Sequence, residues 1–460
     1  MNMNNQQVET CNPSTGKINK VYTKHSKKEA EALIEKSYKA YLKWHQTSLA
    51  ERAKIIESIA QKLHDNKMKL ARMMAYQMGK PISQGEMEID VCIDICKDIA
   101  QHGPKLLKSE KKEVDGGYGI ISYEPLGVIL SMQPWNYPCY QVIRSSIANI
   151  MAGNATVFKH APICWETATT LKEIFQEAGL PEHVFTVLYV DDETADELIA
   201  YDKIVAVSFT GSAEAGKIVG KKAGEHIKKS VLELGGSDPY IILEDASIDN
   251  IINTCIDGRI NNAGQTCTAA KRFIILAEKY EEFKQKFVHK MEQISYGDPL
   301  EDDADMGPLA RKDLRERLHQ QVQESIEKGA KLLCGGKIPH SDGYFYPATV
   351  LENIPKDSPA YKDELFGPVA VLFKAESEDD AIRIANDHRY GLGGGIFSGS
   401  TERAINLAHR INTGMVNVNG YNIAQPNMPF GGIKESGFGR EHGEYGIMEF
   451  INIKSIVVSD

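Results

Sequence analysis

We expect neither an export signal nor a membrane span in the 460-residue sequence. Its first ten residues, MNMNNQQVET, are polar and lack the basic and apolar regions of a signal peptide. No apolar run approaches the roughly 18 residues that a membrane helix requires. We therefore expect a location in the cytoplasm and no membrane partner.

Positive charge is also in short supply. The chain has 53 lysines and arginines against 63 acidic residues, a net charge of −10. Nucleic acids bind concentrated basic faces, so this balance argues against a nucleic-acid partner. The length exceeds the size at which one core usually keeps growing, and two or three structural units are expected.

The eight cysteines are scattered, and no set of them has the spacing of a metal site. We expect them to be reduced and expect no metal. A free cysteine usually packs as a small hydrophobe, so a cysteine alone is weak evidence for catalysis.

Cys267 is set apart by its surroundings. It lies in the run NNAGQTCTAAKRF (261–273), among small or polar neighbours, and Glu233 stands earlier in VLELGGSDP. A thiolate is the reactive form of cysteine, and a nearby carboxylate can accept a proton from water. The pair suits a covalent intermediate that forms on sulfur and is then hydrolysed.

The periodicity of the chain predicts an α/β protein. Residues 27–80 have helical spacing, and from about residue 119 short β-rich runs alternate with helices, which indicates a parallel sheet and a nucleotide-binding domain. A second alternating series starts near residue 240. The segment 113–127 reads as a hairpin and the last residues as a strand, and both look like assembly elements.

Two loops carry further candidate residues. The run FTGSAEAGKI (209–218) nearly matches a phosphate-binding P-loop, but Ile218 stands where magnesium needs a hydroxyl, so an ATPase is disfavoured and a plain turn stays open. In SMQPWNYPCYQVIR (131–144), Asn136 either serves a turn or donates its amide N–H to a tetrahedral oxyanion.

Six motifs in this order resemble the NAD(P)-dependent aldehyde dehydrogenase superfamily over essentially the whole length. They are PWNYP, FTGS, ELGGSDP, GQTC, ELFGPV and PFGGIKESGFGRE. Within the family, the last motif together with GGSDP and GQTCTAAKRF is most similar to the shorter, microbial succinate-semialdehyde dehydrogenase type.

The resemblance implies a role for each matched residue. Cys267 would be the nucleophile, Glu233 the base that activates the deacylating water, and Asn136 with the backbone N–H of Cys267 the oxyanion hole. NAD or NADP would contact Trp135, Lys159, Gly211, Ser212, Glu364 and Phe366.

The family fold implies a Rossmann-like NAD(P)-binding domain (1–112 and 128–233), an α/β catalytic domain (234–428) and a small β oligomerisation element. The last would comprise the hairpin 113–127 and the tail 441–460, and it implies a homodimer or homotetramer.

Two departures bear on specificity. Pro162 stands where many NAD-preferring members carry a glutamate, so we expect NADP to be accepted near Lys159 and His160. Arg144 occupies the position of a substrate-binding arginine in succinate-semialdehyde enzymes, whereas a second such arginine is replaced by Asn261. Arg144 either binds the carboxylate of the substrate or only braces the loop or a subunit contact.

Several alternatives to oxidation of succinate semialdehyde stay open. One is a broad-specificity dehydrogenase of other small aldehydes, and a CoA-acylating member is disfavoured because that type lacks the base. A cysteine hydrolase would need a histidine, and none lies near Cys267 in sequence. A non-catalytic structural oligomer would not need the site.

Overall fold

The computed structural model describes residues 6–301, 304–421 and 424–459. The strands are β1 (Gln7–Cys11), β2 (Ile18–Thr23), β3 (Glu110–Val114), β4 (Gly117–Pro125), β5 (Val128–Gln133), β6 (Ala155–His160), β7 (Phe185–Leu188), β8 (Ile204–Thr210), β9 (Lys229–Glu233), β10 (Asp238–Ile242), β11 (Ala270–Leu276), β12 (Lys331–Cys334), β13 (Thr349–Glu352), β14 (Val369–Ala375), β15 (Tyr390–Gly391), β16 (Gly395–Phe397), β17 (Asn417–Val418), β18 (Ile433–Lys434), β19 (Gly437–Phe438) and β20 (Ile451–Ser459).

The helices alternate with these strands, which confirms the predicted α/β class. They are α1 (Lys27–Trp44), α2 (Leu49–Asp65), α3 (Lys67–Met78), α4 (Ile82–Leu106), α5 (Pro138–Ala152), α6 (Trp165–Glu177), α7 (Asp192–Ile199), α8 (Ala213–Glu225), α9 (Ile248–Ile260), α10 (Ala277–Gln293), α11 (Lys312–Glu327), α12 (Pro359–Lys362), α13 (Glu378–Asn386), α14 (Thr401–Ala408) and α15 (Gly443–Met448). Within the described ranges, no helix has both the length and the apolar character needed to cross a membrane.

The first sheet has the strand order β19-β9-β8-β5-β6-β7. Strand β5 pairs in parallel with β6 on one side and with β8 on the other. The chain adds β6 and β7 on one side of β5 and then β8 and β9 on the other side, so the strand order reverses at β5. Such a switch point opens a crevice at the carboxyl ends of the strands, where open α/β sheets bind ligands. Strand β19 returns from the C-terminal part of the chain and pairs antiparallel with β9, with Gly437 opposite Glu233.

The second sheet has the order β12-β13-β14-β11-β10-β16-β17. Its central strands β10, β11 and β14 are parallel, and buried aromatic rings of β11 and α10 pack beside them, with Phe273 and Phe287 centroids 4.8 Å apart. Cys267 lies three residues before β11. The sheet therefore anchors the chain that leads out of the cysteine segment.

The third sheet joins the predicted hairpin to the C-terminal tail, in the order β20-β4-β3. Strand β4 pairs with β20 along its full length, from Gly117 opposite Ser459 to Pro125 opposite Ile451. The hairpin begins at Glu110, three residues before the predicted boundary, and turns at Gly116 with φ +72°. On β20, Ile453 and Val457 are more than 60% exposed.

Candidate active site

The loop after β5 places Asn136 against the cysteine segment. Its side-chain Nδ2 donates to the carbonyl oxygen of Gln265 at 3.0 Å, and Asn262 Nδ2 donates to the Asn136 carbonyl at 2.7 Å. Asn136 is 4% exposed. The structure therefore brings the predicted oxyanion donor next to the loop that carries Cys267.

A buried ion pair, which sequence reasoning missed, fixes the helix that follows this loop. Glu88 on α4 accepts the backbone N–H groups of Cys139 and Tyr140 at 2.8 and 2.9 Å, in the first turn of α5. Its other oxygen contacts the ammonium of Lys80, which lies 3.6 Å from the Tyr137 ring centroid. A carboxylate at a helix N-terminus is stabilised by the free N–H groups and the helix dipole.

The backbone just before the nucleophile is strained. Asn262 and Ala263 have φ of +54° and +51°, and Gly264 follows at +72°. A Cβ at Gly264 would lie 2.4 Å from the carbonyl oxygen of Gly367, so this position requires glycine. Non-glycine residues in the left-handed region cost free energy and persist mainly where function requires the geometry.

Two cavities meet at Cys267, which is partly exposed. The first cavity, about 200 Å³, is lined among others by Trp135, Asn136, Gly211, Ser212, Glu364 and Phe366. The second, about 130 Å³, is lined among others by Tyr137, Tyr140, Arg144, Asn261, Thr268 and Phe430. Among the described residues, no histidine lines either cavity. The thiol can therefore contact ligands in both, without a histidine to activate it.

The first cavity includes an anion-binding turn at the start of α8. Ser212 caps α8 by accepting the N–H of Ala215 at 3.2 Å, and the N–H groups of this turn attract negative charge. The rest of the lining carries both signs of charge, and Arg389 pairs with Glu214 and Asp363. Trp135 and Phe366 stand edge to face with centroids 5.8 Å apart. A pyrophosphate at the helix and an aromatic ring near Phe366 match this chemistry.

Lys159 and His160 at the end of β6 lie outside the residues that line this cavity. The ammonium of Lys159 pairs with the exposed carboxylate of Asp192. The ring of His160 is buried and contacts the Pro138 carbonyl and the Ala161 N–H, each at 2.9 Å, so the position of His160 close to a 2′-phosphate stays a prediction. Burial lowers the pKa of His160 to about 4, so the ring is neutral at pH 7.

Glu233 lies at the end of β9 and is 2% exposed. Neither carboxyl oxygen has a hydrogen-bond partner among the described residues. Burial raises the pKa of Glu233 well above its usual range, although Arg144 opposes the shift. A buried carboxyl group without partners is unusual in a folded protein, and such groups concentrate where protons are transferred.

Arg144 lines the second cavity but already has partners. Its Nε pairs with the carboxylate of Glu441, and Nη2 donates to Thr210 Oγ1 at 2.7 Å. The guanidinium lies 5.2 Å from the Tyr140 ring centroid and 4.9 Å from that of Phe430. Glu441 ends the motif PFGGIKESGFGRE, but nothing in the sequence indicated that it would pair with Arg144.

The thiol itself is hard to ionise in this environment. Burial raises the pKa of Cys267 to about 12, and the positive charges of Arg144 and Lys271 oppose that shift. The thiol is therefore protonated at neutral pH and must lose its proton before it attacks a carbonyl. Lys271 lies inside the quoted run GQTCTAAKRF, and sequence reasoning assigned it no role.

Known proteins match this chain along nearly its full length. A succinate-semialdehyde dehydrogenase [NADP(+)] of Deinococcus radiodurans is 38% identical over 447 residues, which cover 97% of this chain and 94% of that protein. A succinate semialdehyde dehydrogenase [NAD(P)+] of Escherichia coli is also 38% identical, with 97% of each chain covered.

Solved structures agree with the sequence relatives. The crystal structure of a succinic semialdehyde dehydrogenase from Streptococcus pyogenes in complex with NADP+ superposes with a TM-score of 0.96 at 35% identity, covering 98% of this chain and all of that one. The family model for the aldehyde dehydrogenase family matches residues 1–456. Because the family model covers nearly the whole chain and full-length relatives are 38% identical, the chain belongs to the aldehyde dehydrogenase family.

Proposed function

We propose that this aldehyde dehydrogenase oxidises succinate semialdehyde to succinate, with NADP or NAD as the acceptor. The observation that carries the proposal is the position of Cys267, whose thiol lines both cavities. A nucleophile between a cofactor and a substrate can hold the substrate covalently while oxidation takes place. The names of the relatives support the substrate and both cofactors.

Covalent catalysis assigns a role to each group around the thiol. The Cys267 thiol gives its proton to water and its sulfur forms a bond to the aldehyde carbon, while the Asn136 amide and the backbone N–H of Cys267 stabilise the oxyanion. When bound, a nicotinamide cofactor accepts the hydride of the substrate. Glu233 then takes a proton from water as the oxygen attacks the thioester; the carbon–sulfur bond breaks, and the leaving thiolate takes the proton of the new carboxylic acid, which gives the carboxylate and the thiol.

In this proposal the first cavity holds the cofactor. Gly211 and Ser212 meet the pyrophosphate at the start of α8, and Trp135, Glu364 and Phe366 contact the nicotinamide half. Lys159 meets the adenosine ribose. Position 162, three residues after Lys159, is a proline and not a carboxylate that would repel a 2′-phosphate. The ammonium of Lys159 already pairs with Asp192, and a 2′-phosphate would compete with the Asp192 carboxylate for it.

The second cavity holds the substrate, and Arg144 is the residue in its lining that would bind the distal carboxylate of succinate semialdehyde. The contacts of Arg144 to Glu441 and Thr210 support the structural alternative as well, because they occupy part of the guanidinium. A substrate carboxylate would have to share this cation with Glu441. The second candidate function, oxidation of other small aldehydes, is favoured by this shared charge and by Asn261 in place of a second arginine.

We propose the domain roles as predicted from the resemblance. Residues 1–112 and 128–233 would hold the cofactor, residues 234–428 would carry the nucleophile, and 113–127 with 441–460 would form the subunit contact. The paired third sheet and its exposed Ile453 and Val457 support an assembly role. Analytical ultracentrifugation is expected to give a dimer or tetramer, and a monomer at micromolar concentration would contradict it.

An aldehyde panel with both cofactors tests the function. We expect the highest specificity constant with succinate semialdehyde and measurable reduction of both NAD and NADP. Preference for an uncharged aldehyde such as butanal would favour the broad-specificity alternative. No cofactor reduction with any aldehyde would leave a hydrolase or a structural protein.

A further inference from the structure

We propose that Lys271 is a positioning residue for the reaction at Cys267, because its ammonium holds the backbone on both sides of the thiol and links it to Glu364. The inference rests on the proposed covalent role of Cys267. It concerns a residue at the start of β11 that lies within a matched motif but lines neither of the two cavities at Cys267.

The ammonium of Lys271 is fully engaged. Its Nζ donates to the carbonyl oxygens of Cys267 at 2.7 Å and Thr266 at 3.0 Å, and it lies 3.4 Å from Oε1 of Glu364. The side chain is 2% exposed. An ammonium has three N–H protons, so three acceptors satisfy it, and burial makes each lost contact costly.

These contacts determine the direction of an oxyanion donor. The carbonyl of Thr266 and the N–H of Cys267 belong to one peptide group, which is planar and trans, so the two point in opposite directions. Lys271 holds the carbonyl and thereby fixes where the N–H points. That N–H is the proposed partner of Asn136 in the oxyanion hole, where small displacements reduce the rate strongly.

Lys271 also lies where separate segments converge. Gly236 donates its N–H to Oε1 of Glu364 at 3.1 Å, and a Cβ at Gly236 would lie 2.8 Å from the Cys267 carbonyl oxygen. A Cβ at Gly235 would lie 2.4 Å from Oε2 of Glu364. The glycine pair after Glu233 therefore lets the strand end, the cysteine segment and Glu364 approach one another around one cation.

The charge of Lys271 adds an electrostatic effect on the thiol. The ionisable groups that face Cys267 are Arg144, Lys271, Glu364, Asp238, Tyr137 and Tyr140. Burial lowers the pKa of Lys271, whereas Glu364 and Asp238 act to keep it charged. Loss of this cation would remove one of the two positive charges that stabilise the thiolate while Glu364 and Asp238 remain, and the thiolate would become harder to form.

The pH dependence of alkylation by iodoacetamide tests the inference without using the dehydrogenase reaction. Mass spectrometry of the digested protein follows the Cys267 peptide, and the partly exposed Cys11 is an internal reference. In Lys271→Met and Lys271→Gln, we expect the alkylation rate of Cys267 at each pH from 7 to 9 to fall about threefold or more, because the fraction of thiolate falls, with the rate at Cys11 unchanged. Lys271→Gln guards against misfolding of the methionine variant, since its amide can still donate to a carbonyl.

Lys228 offers a matched control, since its Nζ also donates to two backbone carbonyls, of Ile199 and Tyr201, both at 2.6 Å, away from the site. Lys228→Met should leave the alkylation rate of Cys267 unchanged.

The aldehyde reaction supplies a second measurement. The rate of the burst of cofactor reduction should fall about tenfold or more in Lys271→Met and less in Lys271→Gln, which retains a donor. A Cys267 alkylation rate equal to that of wild type in the folded variants would overturn the proposal, even if turnover fell. If the wild type oxidises no aldehyde, the proposed function fails, whereas the alkylation rate still decides whether Lys271 supports the thiolate.

Discussion

Burial raises the pKa of two glutamates, Glu364 and Glu233, but their surroundings differ. Glu364 accepts the Gly236 N–H at 3.1 Å and lies 3.4 Å from the ammonium of Lys271, and both contacts oppose the rise of its pKa. Glu233 has no hydrogen-bond partner among the described residues, and burial raises its pKa well above the usual range. A satisfied carboxylate is suited to hold a ligand or a loop, whereas an unsatisfied one is suited to exchange protons.

The two cavities at Cys267 also differ, although Glu233 is not among the residues that line either of them. Glu364 lines the first cavity together with polar groups and charged groups of both signs. In the second cavity, Arg144 is the one lining cation among the described residues, and Glu441 already pairs with it. In the function proposed above, the first cavity binds the cofactor and the second binds a small substrate with limited charge recognition.

The largest effect is expected from removing the group that both cavities share. Cys267→Ala should lower aldehyde oxidation by roughly 10⁴-fold or more, because no other group forms the bond to substrate. Cofactor binding, measured by fluorescence titration, should stay nearly intact because its proposed contacts lie elsewhere. Turnover within tenfold of wild type would remove Cys267 from the mechanism.

Glu233→Gln tests whether the glutamate without hydrogen-bond partners is the base for hydrolysis. Steady turnover should fall by roughly 10²- to 10³-fold, while one burst of cofactor reduction per active site persists, since oxidation precedes hydrolysis. Stopped-flow absorbance separates the two phases. Glu364→Gln is the matched control, and it should weaken cofactor binding without causing a stall after the burst. Steady turnover at the wild-type rate in Glu233→Gln would contradict the assignment.

Arg144→Ala tests how far the second cavity recognises charge. The specificity constant for succinate semialdehyde should fall by ~10²-fold or more, because a guanidinium–carboxylate contact in a buried site is worth a few kcal/mol. Activity with butanal should change little. Equal losses on both substrates would assign Arg144 a structural role, consistent with its contacts to Glu441 and Thr210.

The raised pKa of Glu233 predicts a pH dependence for hydrolysis. The ionised carboxylate is the base, and its fraction falls as the pH falls through the raised pKa, so hydrolysis should slow by about tenfold per pH unit below that value. Decay of an isolated acyl-enzyme, followed at several pH values, measures this step without the thiol ionisation. A rate that is flat from pH 5 to pH 8 would mean that Glu233 titrates as an ordinary glutamate, near ~4.3.

The smallest effect is expected at the adenosine end of the cofactor. Lys159→Gln should weaken NADP binding about tenfold more than NAD binding, since only NADP carries the 2′-phosphate. Calorimetric titration gives both dissociation constants, and Lys228→Gln, which alters a lysine away from the site, is the control. Equal weakening of the two cofactors would place the 2′-phosphate away from Lys159.

Local sequence patterns predict the fold class and several of the candidate residues that the structure brings to one cavity. The strand-to-helix turns at Asn136 and Gly211 and the motif around Cys267 are local features, and the structure brings Asn136 and Gly211 to the lining of one cavity with the cysteine. Alternation of β-rich and helical runs was likewise sufficient to predict the parallel sheets.

Contacts between distant segments and the burial of individual side chains could not be predicted from local sequence patterns. The pairing of Arg144 with Glu441 depends on how the C-terminal segment returns to the first sheet, and the hairpin pairs with a tail more than 300 positions away. The basic residue His160 looked available for a phosphate, yet packing buries its ring and lowers its pKa. Charge states of this kind follow from desolvation, which a linear pattern does not report.

The central claim is that substrate becomes covalently bound to Cys267 and is released by a base at Glu233. Intact-protein and peptide mass spectrometry of Glu233→Gln, quenched after one burst with succinate semialdehyde and NADP, tests it most directly. We expect one succinyl group per subunit on the peptide that contains Cys267, and none in Cys267→Ala. An unmodified Cys267 peptide after a full burst, or an adduct on another residue, would contradict it.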